Sequence, residues 1–325
     1  MKAFAYVTAR SASEAAERGR DGGRYLAGGV DLLGEMKEGL AAPAVLVNVK
    51  ALPGAREIAP GAKLWTIGAG VTLAAVAGHA ELRRVLPGLA RAAEEVGSPQ
   101  MRNVATVGGN LAQHSRCWYY RQRDLICAKK GGKRCFARGG ENKFHSVLTG
   151  CPCLSPCVSN LAVALAALDG AAIVQRGPGK TERLTIAQIY EAAWKRAGVH
   201  HSLQPEDVIL RIEVPVPAAG ARSAYVQVAE RGGFDWALVS GAAAGRVEGG
   251  AWRGVRVALG CVAPIPWQLA EVNAWLEGKP ATEANALAAA ELLLKAAAPH
   301  EQNGYKVPLA KTVLKRALLA LAAKS

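Results

Sequence analysis

The sequence predicts an α+β chain in three parts: a small α/β unit over 1–57, a larger α+β unit over 58–218, and a last unit over 219–325 with a three-stranded antiparallel sheet and helices. Three observations carry this expectation. The first stretch alternates short apolar strands with helix-compatible segments. Past residue 57 the pattern changes to short strands and alanine-rich helices. After Pro215–Gly220 three strand-like runs succeed one another before two closing helices.

The elements follow in chain order. Phe4–Val7 reads as a short strand and Ala12–Asp21 as a helix. Arg24–Lys37 runs from a strand through paired glycines into a helix, and Ala44–Val49 is a second strand. Leu64–Gly70 is strand-like. Leu82, Val85, Leu86, Leu89, Ala93 and Val96 recur near helical spacing, predicting one helix over Glu81–Val96, Pro87 included, that Gly97-Ser98-Pro99 ends. Residues 114–158 show no period and carry Gly131-Gly132 and Gly139-Gly140, so they read as an irregular insertion. An irregular segment this long inside a compact domain is functional or disordered. Leu161–Leu168 restores a helix and Ala171–Arg176 a strand. Ala224–Glu230, Trp236–Val247 and Gly254–Ala263 are the three strands of the last sheet. The closing helices are Thr282–Ala298, capped by Thr282 and stopped by Pro299, and Pro308–Ala323.

Composition narrows the function classes. With 50% hydrophobic residues in 325, the chain is neither disordered nor short of core. No apolar run is long enough to cross a membrane, and Met1–Gly23 lacks the apolar core of a signal peptide. The expected location is cytoplasmic. The net charge is +14, and half of it lies between Arg116 and Cys157, where nine basic residues face only Asp124 and Glu141. Six of the seven cysteines (Cys117, Cys127, Cys135, Cys151, Cys153 and Cys157) fall in the same segment. In a reducing compartment such crowding points to a metal or cluster site and not to disulfides. Zinc knuckles use paired short Cys-x2–4-Cys spacings, which are absent here. Iron–sulfur clusters tolerate irregular spacing, and nearby cations favour their negatively charged cores. The cluster is therefore favoured, with zinc and unmetallated thiols as alternatives.

Two glycine pairs invite an anion. Ala27-Gly28-Gly29-Val30-Asp31-Leu32-Leu33-Gly34 lies between a strand and a helix, and Thr106-Val107-Gly108-Gly109-Asn110 repeats the device. Each alone reads as a tight turn; together they suit the two phosphates of one dinucleotide. Gly68-Ala69-Gly70 opens like a Rossmann fingerprint, but Leu73 stands where the third glycine belongs. No Walker sequence, no GxSxG elbow, no paired histidine ligands and no acid–base pair of carboxylates occur, so no catalytic residue is assigned. Trp118-Tyr119-Tyr120 could stack on a ring or pack under the insertion.

Met101–Ala112 (MRNVATVGGNLA), with Leu26–Leu33 (LAGGVDLL) upstream and Phe234–Ala244, Ala258–Trp267 and Asn303–Ala310 downstream, resembles the FAD-binding medium subunit of the molybdenum hydroxylases. That family includes carbon monoxide and xanthine dehydrogenases. Ser115–Arg121 and Cys127–Ser146 resemble the insertion of 4-hydroxybenzoyl-CoA reductase β subunits, which carries an extra [4Fe–4S] cluster. The resemblance implies a two-part FAD-binding region followed by a C-terminal flavoprotein domain. FAD would be held by Ala27–Gly34 and Thr106–Asn110, with Trp118 near the flavin, and with Ser159 and Asn160, where relatives have Ser-Asp. The cluster ligands map onto Cys117, Cys127, Cys135 and Cys153; Cys151 and Cys157 compete for the fourth place, and Cys153 fits the pattern best.

The implied partners are a large subunit with the molybdenum cofactor and a small subunit with two [2Fe–2S] clusters. Substrate chemistry would then take place on the large subunit. An acidic ferredoxin-type protein is expected to dock on the basic insertion. Two other readings are an ordinary medium subunit without a working extra cluster, and a basic nucleic-acid-binding metal protein. The unpaired knuckles and the two glycine loops weigh against the second, and no nucleic acid is expected as a partner.

Overall fold

A computed structural model describes residues 1–323. The chain is α+β, and the described residues build three sheets. The first is parallel, in the order β1 (Ala5–Thr8), β3 (Val45–Asn48), β2 (Arg24–Leu26), so each return needs a crossover. Helix Ala12–Arg20 makes one crossover; Ser11 Oγ accepts the Glu14 amide at 3.1 Å and so caps its first turn. Helix Leu32–Lys37 lies in the other. The glycine loop 27–30 leaves the end of β2, and this placement carries it to the edge of the next unit.

The second sheet has five strands, ordered β4 (Ile58–Ala59), β5 (Leu64–Gly68), β8 (Asp207–Pro215), β6 (Ala171–Arg176), β7 (Thr181–Thr185), with every neighbouring pair antiparallel. Helix Asn160–Ala167 is buried along its whole length, in keeping with its unbroken apolar sequence, and packs on the third sheet. That third sheet, β9 (Arg222–Val228), β10 (Val239–Glu248) and β11 (Ala251–Gly260), is antiparallel with β10 in the middle. Helices Ala270–Leu276, Glu283–Leu293 and Lys306–Ala320 complete the last unit.

The expected helix over 81–96 is two helices, Ala80–Val85 and Pro87–Glu94. Pro87 has no amide to donate and pushes Leu86 out of the helical region, so it starts the second helix instead of continuing the first. The helix expected to reach Ala298 ends at Leu293, because the Ala298 amide turns to the Val147 carbonyl in the insertion. Strands β4 and β7 lack a strong local pattern and long-range pairing selects them, whereas β8 is rich in Val, Ile and Leu, and helix Ile186–Lys195 has a Thr185–Gln188 capping box and a buried face of Ile186, Ile189, Tyr190 and Ala193.

The insertion is anchored and not loose. Val147 and Leu148 donate to the Val262 carbonyl, Cys157 donates to that of Ala263, and Asn142 and Gln302 exchange hydrogen bonds. Lys306 is fully buried and donates Nζ to the carbonyls of Phe144 at 2.9 Å and Cys261 at 2.8 Å. Burial pulls this ammonium down to about 8 from its ordinary value of 10.5. The unfolded chain therefore keeps a proton between about pH 8 and 10.5 that the folded chain has released. Stability should rise with pH across that window and be flat on this account below it. In urea unfolding, the native protein should gain about 2 kcal/mol over Lys306→Met between pH 7 and pH 10. Parallel pH profiles for the two proteins would overturn this assignment.

Candidate functional site

A cleft enclosing about 500 Å3, within the size range of cofactor sites, runs between the first two sheets. Ala27–Leu32 and Thr106, Gly108, Gly109 and Asn110 line it. The two loops touch directly: a Cβ at Gly28 would lie 2.0 Å from the Val104 carbonyl oxygen and 3.0 Å from Ala105 Cα. Gly29 has φ +75°, the left-handed region that favours glycine. Thr106 Oγ1 accepts the Gly109 amide at 3.2 Å, and Gly108 sits so close to Ala69 that a Cβ would meet it at 2.9 Å. Ala69 and Gly70 thus line the cleft through strand packing, without the Rossmann pattern.

Not every expected residue faces the cavity. Val107 is buried in the core, Leu33 packs over Gly29, and Gly34 lies on the helix beyond the lining. Asn160 lines the cleft and donates to Gln227 at 2.9 Å, but Ser159 points to Asn110 Oδ1 at 2.8 Å, bracing that loop from behind. Trp118 lies outside the lining, in an aromatic group with Phe144 and His145 at centroid separations of 5.5 and 5.3 Å. Its apolar ring packs inside the insertion.

Two regions of the lining were not anticipated. One end is apolar, with Tyr25, Val49, Leu52, Val208 and Leu210. The other carries Phe234, Asp235, Trp236 and Ala237, the tip between β9 and β10, where both aromatics remain exposed. The glycine pair Gly232-Gly233 before exposed aromatics was the available signal.

An ion-pair network joins the first glycine loop to the insertion. Asp31 Oδ1 takes Arg121 Nη2 at 2.6 Å and Arg116 Nη2 at 3.1 Å, and Asp31 Oδ2 accepts the His114 amide at 2.6 Å. Burial would raise the Asp31 carboxyl, but Arg116, the His114 amide and Arg121 outweigh it and hold it below the usual range. Buried Glu35 accepts from Tyr120 at 3.0 Å and pairs with His114 Nδ1 at 2.9 Å. Asp31, Glu35 and His114 bring ligand atoms within 4.8 Å of one another, but two guanidiniums and a phenol already serve these carboxylates.

The thiols divide into two sets. Cys117 is close enough to Cys127 and Cys135 to feel their charge, and Cys135 and Cys153 share a side-chain hydrogen bond. Amides point at these sulfurs: Tyr119 and Tyr120 at Cys117, Ala137 and Leu154 at Cys135, and Ser155 at Cys153 at 3.5 Å. Neutral His145, pushed down to about 4 chiefly by burial, places Nε2 3.1 Å from Cys117 Sγ. Cys151 instead faces the carbonyls of Cys153 and Ala193, while Cys157 lies in the apolar core near Cys261 and Tyr190. Amide donors thus reach three of the four candidate ligands, Cys117, Cys135 and Cys153.

Residues 2–217 match the family model of the FAD-binding domain in molybdopterin dehydrogenase. The chain belongs to that family. Residues 224–321 match the C-terminal domain of CO dehydrogenase flavoproteins. The aldehyde oxidoreductase FAD-binding subunit PaoB of Escherichia coli is 33% identical over 318 residues, covering 97% of this chain and 96% of PaoB. The carbon monoxide dehydrogenase medium chain of Hydrogenophaga pseudoflava is 27% identical over 98% of this chain and 96% of its own length. A solved carbon monoxide dehydrogenase from that organism, lacking the Mo-pyranopterin moiety, superposes with a TM-score of 0.78 at 25% identity, covering 99% of this chain and 98% of that one. The FAD expected of the family fits the cleft on the structure's own terms. The Gly28 contact leaves no room for a side chain between the loops, and three lining residues (Tyr25, Arg116 and His201) each carry a buried polar atom with no partner.

Proposed function

We propose that the chain is the flavin- and cluster-bearing electron-transfer subunit of a cytoplasmic molybdenum oxidoreductase, similar to 4-hydroxybenzoyl-CoA reductase β subunits. One observation carries this reading: Arg116 lines the cleft, and the next residue, Cys117, stands near Cys127 and Cys135, the latter hydrogen-bonded to Cys153. When bound, FAD supplies two-electron exchange and a [4Fe–4S] cluster supplies one-electron exchange. The chain's own part is to hold both. The glycine loops with Asn110 and Asn160 would receive FAD, and Cys117, Cys127, Cys135 and Cys153 would ligate the cluster. Asp31, gripping Arg116 and Arg121 on either side of Cys117, keeps the two sites in register. Substrate is turned over on a large molybdenum subunit, reached through a small subunit with two [2Fe–2S] clusters.

The insertion's charge is split between two tasks. Arg116 and Arg121 are spent on Asp31, and buried Lys129 donates to the Val199 carbonyl at 2.7 Å. The docking charge is therefore smaller than the sequence total. Exposed Arg123, Lys133, Arg134 and Arg138 remain to meet an acidic ferredoxin-type partner.

An anaerobic count on the purified complex tests the reading. About one FAD, four iron and four sulfide per chain support it. FAD without iron reduces the insertion to a structural brace, and absence of both overturns the proposal. Electron transfer to an acidic ferredoxin should fall steeply between low and high salt. A salt-independent rate would remove the docking surface from the proposal.

A further inference from the structure

We propose that Gln227 positions the cofactor without touching it: its side chain turns the Asn160 carbonyl oxygen into the cleft, where that oxygen accepts a hydrogen bond from a ring N–H or a hydroxyl of FAD. This rests on the reading of the cleft as the FAD site. Gln227, on β9, is not part of the lining and stands behind Asn160, which is. Its Nε2 donates to the Glu95 carbonyl at 3.3 Å. Its Oε1 accepts from the Tyr225 hydroxyl at 3.2 Å and from Asn160 Nδ2 at 2.9 Å.

The orientation follows from what each group can do. A backbone carbonyl only accepts, so the end of Gln227 that faces Glu95 is its NH2. The other end is then the oxygen, and Asn160 must offer it Nδ2. The two ends of an amide point apart, which turns Asn160 Oδ1 away from Gln227. Among the described residues none donates to that oxygen, and it is not one of the polar atoms sealed off without a partner. Asn160 lines the cleft, so the oxygen opens there. Asn110 is held the other way round. Its Oδ1 takes Ser159 Oγ at 2.8 Å and the Leu161 amide at 3.2 Å, leaving Nδ2 as the end free to meet a ligand. The cleft thus offers a donor beside the second glycine loop, suited to phosphate, and an acceptor at Asn160. A carboxylate at position 160 could not donate to Gln227 and would set an anion against its oxygen.

The test is a double-mutant cycle on FAD affinity, read by flavin fluorescence on the complex stripped of cofactor, with thermal unfolding as the control for the fold. Asn160→Ala should weaken FAD binding about tenfold, the worth of one neutral hydrogen bond. Gln227→Met keeps the side chain's length but neither of its bonds. It should weaken binding about threefold in the native background and not at all beside Asn160→Ala. Asn160→Asp should bind FAD no better than Asn160→Ala. FAD methylated at the ring imide nitrogen tells the two donors apart: the loss in Asn160→Ala vanishes if that N–H is the partner and persists if a hydroxyl is, and both support the contact. Losses that multiply in the double variant overturn the proposal, as does native affinity in Asn160→Ala or Asn160→Asp. Should Gln227→Met fail to fold, Asn160→Asp decides alone. A native complex that holds no FAD would instead fail the reading of the cleft.

Discussion

Gly28→Ala should strip the protein of FAD while leaving most of its fold in place. The added Cβ would meet the Val104 carbonyl oxygen at 2.0 Å and its carbon at 2.7 Å. Both are backbone atoms, so no side chain can swing aside, and the two glycine loops must part. Overpacking of this kind costs about 1–3 kcal/mol or more. The strain falls on loops that line the cleft, so FAD affinity should drop roughly tenfold to a hundredfold. Gly34→Ala is the matched control: its Cβ would meet nothing within 4 Å, and it sits in helix Leu32–Lys37. That change should be silent or slightly stabilising. Fluorescence titration of FAD into both variants decides the matter; wild-type affinity in Gly28→Ala would sink the assignment.

If the chain holds the cluster proposed above, the second large effect is loss of iron from single cysteine variants, with a pattern that separates two sets of thiols. Cys117→Ser, Cys127→Ser, Cys135→Ser and Cys153→Ser should each fall from about four iron per chain to less than one under anaerobic purification. Cys151→Ser and Cys157→Ala should keep the full complement, since Cys151 faces carbonyls and Cys157 lies in the core with Tyr190. FAD should stay bound in Cys135→Ser, because the clamp of Asp31 on Arg116 and Arg121 does not pass through that residue. Iron retained in Cys153→Ser but lost in Cys157→Ala would reverse the choice of fourth ligand.

Much of this site was legible before any coordinates. The glycine pairs announce themselves because few other residues allow such close backbone approach, and six cysteines within residues 117–157 have few uses in a reducing compartment. The first and third sheets also follow from local apolar runs, whereas of the five strands of the second only β5 and β6 were read from the sequence. At Pro87 the apolar periodicity continues while the helical backbone cannot, so periodicity alone joins two helices into one.

The residues that complete the cleft were not legible, and the reason is sequence distance. His114 and Arg121 reach Asp31 and Glu35 across 79 to 90 positions, and Trp236 reaches Arg116 from the loop between β9 and β10. No local period marks such pairs. The same holds for the basic segment, where charge could be counted but not divided. Only packing assigned Arg116, Arg121 and Lys129 to internal partners and left residues such as Arg123 and Lys133 exposed. Short-range chemistry, such as backbone freedom at Gly28 or thiol crowding, is written in the residues themselves. The placement of a charge relative to a cofactor is a long-range property, because burial and the identity of the partner, both set by tertiary contacts, determine what that charge is worth.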